Sequence, residues 1–379
     1  MRKDQFESPD YYMVEKLFSE EQIIVRDATR QWVKEYVSPI IEDYNLKGVF
    51  PKELIKGIAE IGGFGAILPA KYGGSELDLI SYGLMMQELE RGDSSIRVMC
   101  SIQTSLVMNN IYEHGNDFHK EEFLLKLSKG ELIGSFGLSE PGHGSDPASM
   151  QTRHTIDGDH YIINGSKMWI GNAPFCDIAL VWSKSANDNY ACFVVRRNDP
   201  GFSTSKIDKK WSFRASETGE LIFDNCKVHK KYLLFESDSI NAALRSLNIA
   251  RYAVACGSIG IAMECYDVAL KYSNERTQFG KKISSNQLIQ KKLVDMITEI
   301  TKAQLLNWKL GMMMNDGDAT FEQISMAKRN NVSVAYNVAR NARQILGGMG
   351  ITAEYPVMRH LINLETLITY QGTDEIHTL

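Results

Sequence analysis

Three changes of texture along the 379 residues predict an α+β protein, with a helical first part, a β-rich middle and a C-terminal helical bundle. Residues 1–133 carry apolar residues at helical spacing, which predicts an N-terminal helical domain. Residues 134–238 show short β-branched and aromatic runs cut by turn residues, which predicts a middle barrel or sandwich. Residues 239–379 return to long helical periodicity.

Taken in order, Ser19-Glu20-Glu21-Gln22 has the pattern of a capping box. Ile24, Ala28, Trp32 and Tyr36 then recur at spacing four, and Val25, Val33 and Val37 widen them into an expected core face. Pro51 and Gly62-Gly63 punctuate the next segments, before a pattern rich in Leu, Met and small residues from 80 to 110. In the middle part, Tyr161-Ile162-Ile163 lies between two expected turns, Asp157-Gly158 and Asn164-Gly165. Further runs at 178–182, 191–195 and 220–223 come at short intervals, as in a compact antiparallel barrel or sandwich. The stretches 286–306 and 321–346 are expected to be long helices of a bundle.

Bulk properties narrow the function. A net charge of −5 with 23% charged residues gives no global attraction to nucleic acid or an anionic membrane. No apolar run approaches the roughly 20 residues of a membrane helix, so no span is expected. The N-terminal stretch has early acidic residues and no apolar core, unlike a signal or transit peptide, and a cytoplasmic location is expected. The six cysteines form no CxxC pair and read as buried thiols of a reducing compartment. The eight histidines show no metal spacing, and no metal is expected.

Four clusters carry chemistry. The loop 136–146, with its glycines and hydroxyls, is able to present backbone N–H groups to a phosphate or a flat polar ligand, or to act as a plain hairpin connection. Trp169-Ile170-Gly171-Asn172 places an aromatic at a strand end, either stacked on a ligand ring or in the core. Arg276 in a Gly-terminated stretch suits a pyrophosphate contact or a solvated loop. Gln344-Ile345-Leu346-Gly347-Gly348-Met349-Gly350 permits close backbone approach, or simply caps a helix. A GxGxxG fingerprint is absent, so nicotinamide binding has no support.

All four clusters, in this order and spacing, resemble the acyl-CoA dehydrogenase family, and within it the glutaryl-CoA branch. The likeness runs nearly end to end, through Ser81-Tyr82-Gly83, Glu88-Leu89-Glu90-Arg91, 211–216, 286–292, Arg359-His360 and 369–373. It implies FAD, an acyl-CoA substrate, a homotetramer and an electron-transfer flavoprotein as acceptor. For the cofactor it implies Phe136, Leu138, Ser139, Gly144, Ser145, Trp169, Ile170 and Gly171 around the flavin and ribityl chain. It further implies Arg276 and Gln287 at the diphosphate and adenine, Gln344, Gly347 and Gly348 toward a neighbouring subunit's FAD, and Thr373 and Glu375 nearby. For the acyl-CoA path it implies Ser145, Leu244, Asn248, Arg251, Tyr370 and Gly372. Arg97, with Ser101 and Glu90, matches the arginine that meets a distal carboxylate, although a plain salt bridge to a nearby Glu also satisfies a guanidinium among apolar residues.

One position departs from the family. The catalytic base of the glutaryl branch is the Glu of a Tyr-Glu-Gly-Thr sequence, and here it is Gln371. A carboxamide keeps the shape but accepts no α-proton, and losing a general base costs about 10²–10⁴ in rate. The position aligned with the base of other branches is Ala250. Three readings follow: a dicarboxylyl-CoA dehydrogenase whose base has been exchanged so as to trap substrate, a relative performing base-independent decarboxylation or desulfination, or a non-catalytic flavin and acyl-CoA binder.

Overall fold

The computed structural model describes residues 4–379. The first part is helical: α1 (Glu20–Trp32), α2 (Ile41–Lys47), α3 (Leu54–Glu60), α4 (Leu79–Gly92), α5 (Ser94–Ser101), α6 (Asn109–His114), α7 (Asp117–His119) and α8 (Leu125–Ser128). The capping box at α1 forms as expected. Gln22 N donates to Ser19 Oγ at 3.2 Å, and Ser19 N donates to Gln22 Oε1 at 3.0 Å. The expected core face is only partly right. Trp32, Val33 and Val37 are buried, but Ile24 and Tyr36 are 67% and 49% exposed. The face that packs is rotated toward Gln22, Arg26 and Thr29, because α4 offers polar partners there: Arg30 bonds Glu88 at 2.8 Å and Gln22 bonds Asp78 at 2.8 Å. The pattern from 80 to 110 is not one helix. Gly92-Asp93 breaks it, and the Asp93 side chain caps α5 by accepting from Ser95 N at 2.8 Å, the ordinary role of an N-cap carboxylate. A π-helical stretch, Ile102–Met108, comes next.

The middle part is one sheet of strands β1 (Gly134–Gly137), β2 (Arg153–Asp157), β3 (His160–Gly171), β4 (Ile178–Lys184), β5 (Tyr190–Arg196), β6 (Phe202–Lys206), β7 (Thr218–His229) and β8 (Leu233–Ser237). The order is β6-β7-β3-β2-β4-β5-β8, with β1 beside β4. The sheet is mixed rather than purely antiparallel, since β1 runs parallel to β4. Asp157-Gly158 is the expected hairpin turn between β2 and β3. Asn164-Gly165 is not a turn: β3 continues through it with a register shift against β7, as at a bulge. Gly165 sits at φ +138, with a would-be Cβ 2.7 Å from Thr152. A short edge hairpin, β9 (Thr277–Gln278) and β10 (Lys281–Lys282), lies among the later helices.

The last part consists of α9 (Asn241–Glu275), α10 (Gln287–Asn315), α11 (Phe321–Leu346), α12 (Val357–Thr369) and α13 (Asp374–Thr378). Within α9 an 18-residue window reaches a mean hydropathy of 1.4, long and apolar enough for a membrane by composition, yet 83% of it is buried against the protein's own helices. Its apolar surface packs on α4 and α11. Buried ions tie the two helical parts together. Arg359 on α12 meets Asp93 at 2.5 Å and Glu42 at 2.7 Å, and Arg91 on α4 meets Glu264 on α9 at 3.0 Å. All six cysteines are free and buried.

Candidate active site

Arg97 on α5 is fully buried. Its Nε donates to Glu90 on α4, its Nη2 to the phenol oxygen of Tyr370, and its Nη1 to Ser101 Oγ at 3.3 Å. Removing a guanidinium from water is tolerable only with such acceptors. Burial opposes the charge, but Glu90 and Tyr370 outweigh it and raise the Arg97 pKa. Burial likewise pushes the Tyr370 phenol up. The salt bridge weighed for Arg97 is present, and so is the gathering of Glu90, Ser101 and Tyr370 around it. Two acceptor oxygens here, Glu90 Oε1 and Gln371 Oε1, are buried without a partner.

Tyr370 comes just after α12, and the chain then turns sharply. Gln371 has φ +54 and Gly372 φ +102, and a Cβ on Gly372 would stand 2.7 Å from His377 Nε2. Only glycine accepts that second position without strain. The Gln371 carbonyl accepts from Arg251 Nε on α9 at 3.1 Å and lies 3.1 Å from His377 Nε2 on α13. The Gly372 carbonyl accepts from Lys328 Nζ on α11 at 2.8 Å. Ala250, beside Arg251, is fully buried. Leu244 and Asn248 lie half-buried earlier on the same helix.

The two loops expected around a flavin lie side by side. Met168 N donates to Ser139 O at 2.9 Å, and Ser135 Oγ to Gly171 O at 3.0 Å. Beneath them is a buried ion pair, Lys167 and Glu140, at 2.8 Å. Lys167 also donates to Leu138 O at 3.2 Å, while Glu140 accepts from Gln151 N at 2.6 Å and from Thr152 N at 2.9 Å. Burial alone would raise the Glu140 carboxyl, but Lys167 and these donors bring it down to about 2. Burial lowers Lys167 to about 8 against the pull of Glu140. Phe136 and Ile170 are buried in the core. Trp169 is not: it sits at φ +65 near the end of β3 with 58% of its surface exposed. Gly144 and Ser145 are exposed on the loop after β1. An open indole beside a rim of backbone groups is the lining that a flat heteroaromatic ring covers, so these residues fit a flavin.

The remaining expected contacts form a separate group. Arg276 is exposed at the β9–β10 hairpin, where Phe279 is 98% exposed. Gln287 opens α10, and Gln344 near the end of α11 accepts from Lys292 at 2.6 Å. Gly347, at φ +60, and Gly348 have open space where a Cβ would stand. Thr373 caps α13 through Ile376 N at 3.3 Å, and Glu375 is exposed on it. No hydrogen bond links Arg276, Gln287 or Gln344 to the flavin loops among the described residues.

The comparisons with known proteins decide what this assembly is. The family models for the acyl-CoA dehydrogenase N-terminal, middle and C-terminal domains match residues 19–131, 135–226 and 240–379. The chain belongs to the acyl-CoA dehydrogenase family. It is similar to the solved glutaryl-CoA dehydrogenase of Mycobacterium smegmatis, at 42% identity and a TM-score of 0.94, covering 96% of this chain and 94% of that one. A second glutaryl-CoA dehydrogenase structure from the same organism, in complex with FADH2, has 39% identity and a TM-score of 0.95, covering 97% and 95%. The acyl-CoA dehydrogenase of Bacillus subtilis (strain 168) is 34% identical over 366 residues, 95% of this chain and 97% of that one.

FAD is therefore the cofactor and a CoA thioester the substrate class. FAD, when bound, supplies a hydride acceptor, while the protein supplies alignment and electrostatics. Membership also draws attention to residues that sequence reasoning passed over. Lys167, Lys328 and His377 bond the loops that the resemblance implies for the ligands. Lys328 carried a signal, since it lies on the buried face of α11 with Ile324, Asn331 and Ala335.

Proposed function

We propose that this chain binds FAD and a dicarboxylyl-CoA thioester, glutaryl-CoA first among them, and that Gln371 makes removal of its α-proton slow. The observation that carries the reading is the Arg97–Tyr370 hydrogen bond. It joins a buried cation, suited to a distal carboxylate, to the residue next to the base position, so one loop sets both ends of the acyl chain. With Gln at 371 and Ala at 250, neither family base position offers a carboxylate. As implied by the family resemblance, we extend the proposal to a homotetramer and to an electron-transfer flavoprotein as acceptor; a cytoplasmic location is proposed alongside them.

A second reading has its own support. Arg251, which bonds the Gln371 carbonyl, takes part in no salt bridge among the described residues, so the loop meets a guanidinium without a bonded carboxylate. Such a loop suits loss of carbon dioxide from an anionic enoyl thioester, where the electron pair of the breaking C–C bond passes into the conjugated thioester and is then protonated. It also suits hydrolytic release of sulfite from a sulfinyl thioester, where water supplies the oxygen to sulfur and the proton to carbon.

Anaerobic titration of the FAD-loaded protein with glutaryl-CoA tests both. The first reading expects a saturable perturbation of the flavin spectrum with little bleaching. The second expects, in parallel titrations, carbon dioxide from the enoyl thioester glutaconyl-CoA, or sulfite from a sulfinyl thioester, without an electron acceptor. A spectrum indifferent to glutaryl-CoA, at concentrations that saturate butyryl-CoA, overturns the dicarboxylyl assignment.

A further inference from the structure

Gln371, at φ +54, holds a left-handed backbone conformation that is unfavourable for a non-glycine residue and persists only where the surroundings over-determine it. The surroundings here are three side chains from three helices converging on two consecutive carbonyls. Arg251 on α9 and His377 on α13 address the Gln371 carbonyl, each at 3.1 Å, and Lys328 on α11 addresses the Gly372 carbonyl at 2.8 Å. Because a carbonyl only accepts, His377 Nε2 carries the proton, and its Nδ1 accepts from Ser325 Oγ at 2.9 Å. The imidazole is thereby a fixed neutral donor, in keeping with the pKa of about 4 imposed by burial and by the nearby Lys328 and Arg251. Lys328 is 1% exposed, and the Gly372 carbonyl is the acceptor it finds. Among the described residues, the N–H groups of Gln371 and Gly372 make no backbone hydrogen bond.

We infer that Lys328, with His377, is a positioning residue: by clamping the carbonyls of Gln371 and Gly372 it holds the left-handed kink that leaves the adjoining N–H groups free for the thioester carbonyl. The clamp is made to the loop's own carbonyls, so it acts on the site through the backbone. It also explains why a buried lysine is retained on the core face of a helix, where its desolvation is unfavourable. In a chain whose side chain at 371 accepts no proton, the backbone donors are the polarising groups left at that position.

The inference rests on the proposed thioester site, and the test separates the two. The FAD-loaded protein is titrated with crotonyl-CoA and with CoA, and the thioester carbonyl stretch of bound crotonyl-CoA is read by difference infrared spectroscopy. Crotonyl-CoA offers the carbonyl with an α hydrogen that is vinylic and not acidic, and CoA lacks the thioester carbonyl. For the unaltered protein the stretch is expected to move to lower frequency on binding. In Lys328→Met it should return toward the free value, with crotonyl-CoA held about tenfold more weakly and CoA unaffected. Lys328→Arg should keep most of the shift. His377→Gln, whose carboxamide still donates to the Gln371 carbonyl, supplies a milder variant that should lie between. Equal losses for CoA and crotonyl-CoA, or an unchanged stretch in Lys328→Met, overturn the clamp while leaving the thioester site standing. An unaltered protein that binds CoA but not crotonyl-CoA, or shows no shift, overturns both.

Discussion

Arg97 and Tyr370 stand 273 positions apart in the chain and share a hydrogen bond, guanidinium to phenol, at a guanidinium that is fully buried. The same guanidinium is neutralised by Glu90, whose second carboxylate oxygen has no partner. Arg97 is thus a strut between α5 and the 370–373 loop, and in the proposed complex it is the cation that meets the acyl tail.

Separating these two roles needs a double variant, because removing Arg97 alone leaves the Glu90 carboxylate buried and unpaired, at a cost of about 3–5 kcal/mol. In Arg97→Met/Glu90→Gln, glutaryl-CoA binding should fall by about 30-fold or more, as for loss of a buried charge-assisted contact. Butyryl-CoA binding should change by less than about threefold. Calorimetric titration of both ligands decides it, and parallel losses would remove Arg97 from the role of anchor.

Gln371→Glu should return a proton acceptor to a site that already has the fold around it. Flavin reduction by glutaryl-CoA, followed by anaerobic stopped flow, is expected to quicken by about 10²–10⁴. An unchanged rate would place the base elsewhere in the cleft.

The Lys167–Glu140 pair is a third point of test. Lys167→Met removes the cation paired with a carboxylate that also holds the Gln151 and Thr152 backbone. The expected result is a loss of about 3–5 kcal/mol in stability together with weaker FAD retention. Lys167→Met/Glu140→Gln should recover much of the stability, and thermal unfolding with released-flavin fluorescence measures both quantities.

Stability should also fall between pH 5 and 8 through Glu264. Burial raises its carboxyl to about 7 despite Arg91 beside it, with Asp4 and Asp267 adding repulsion. The folded state thus binds a proton that the unfolded chain, with a carboxyl near 4.5, has released. This contribution is complete below the unfolded value and is lost as pH rises through the folded one. The Tm is expected to be about 2 °C lower at pH 8 than at pH 5.5 from this group, and Glu264→Gln should flatten that slope. A slope identical in the variant would assign the effect to other groups.

Much of the fold is legible in the chain itself. The capping box at Ser19, the helix 321–346 and the hairpin turn at Asp157-Gly158 are local, set by hydrogen bonds within a few residues, and they form as expected. Ile24 and Tyr36 fall outside the core because an apolar pattern fixes a helix but not the direction from which a partner arrives. Asn164-Gly165 resembles a turn because the dipeptide favours one, but pairing with β7 on the far side holds β3 extended and absorbs the glycine as a bulge.

The sequence by itself determined the helix–sheet–helix order, the glycine-rich loop after β1, an aromatic at the end of β3 and the neutral residue at 371, since each depends on residue identity and near neighbours. Only the tertiary structure decided that the Trp169 indole stays open, that Lys328, His377 and Arg251 meet at one loop, that Glu90 pairs with Arg97 and that Lys167 pairs with Glu140 beneath the 138–140 segment. A buried charge takes whatever partner the packed helices deliver, and which helix delivers it is settled by burial across the whole fold rather than by spacing along the chain.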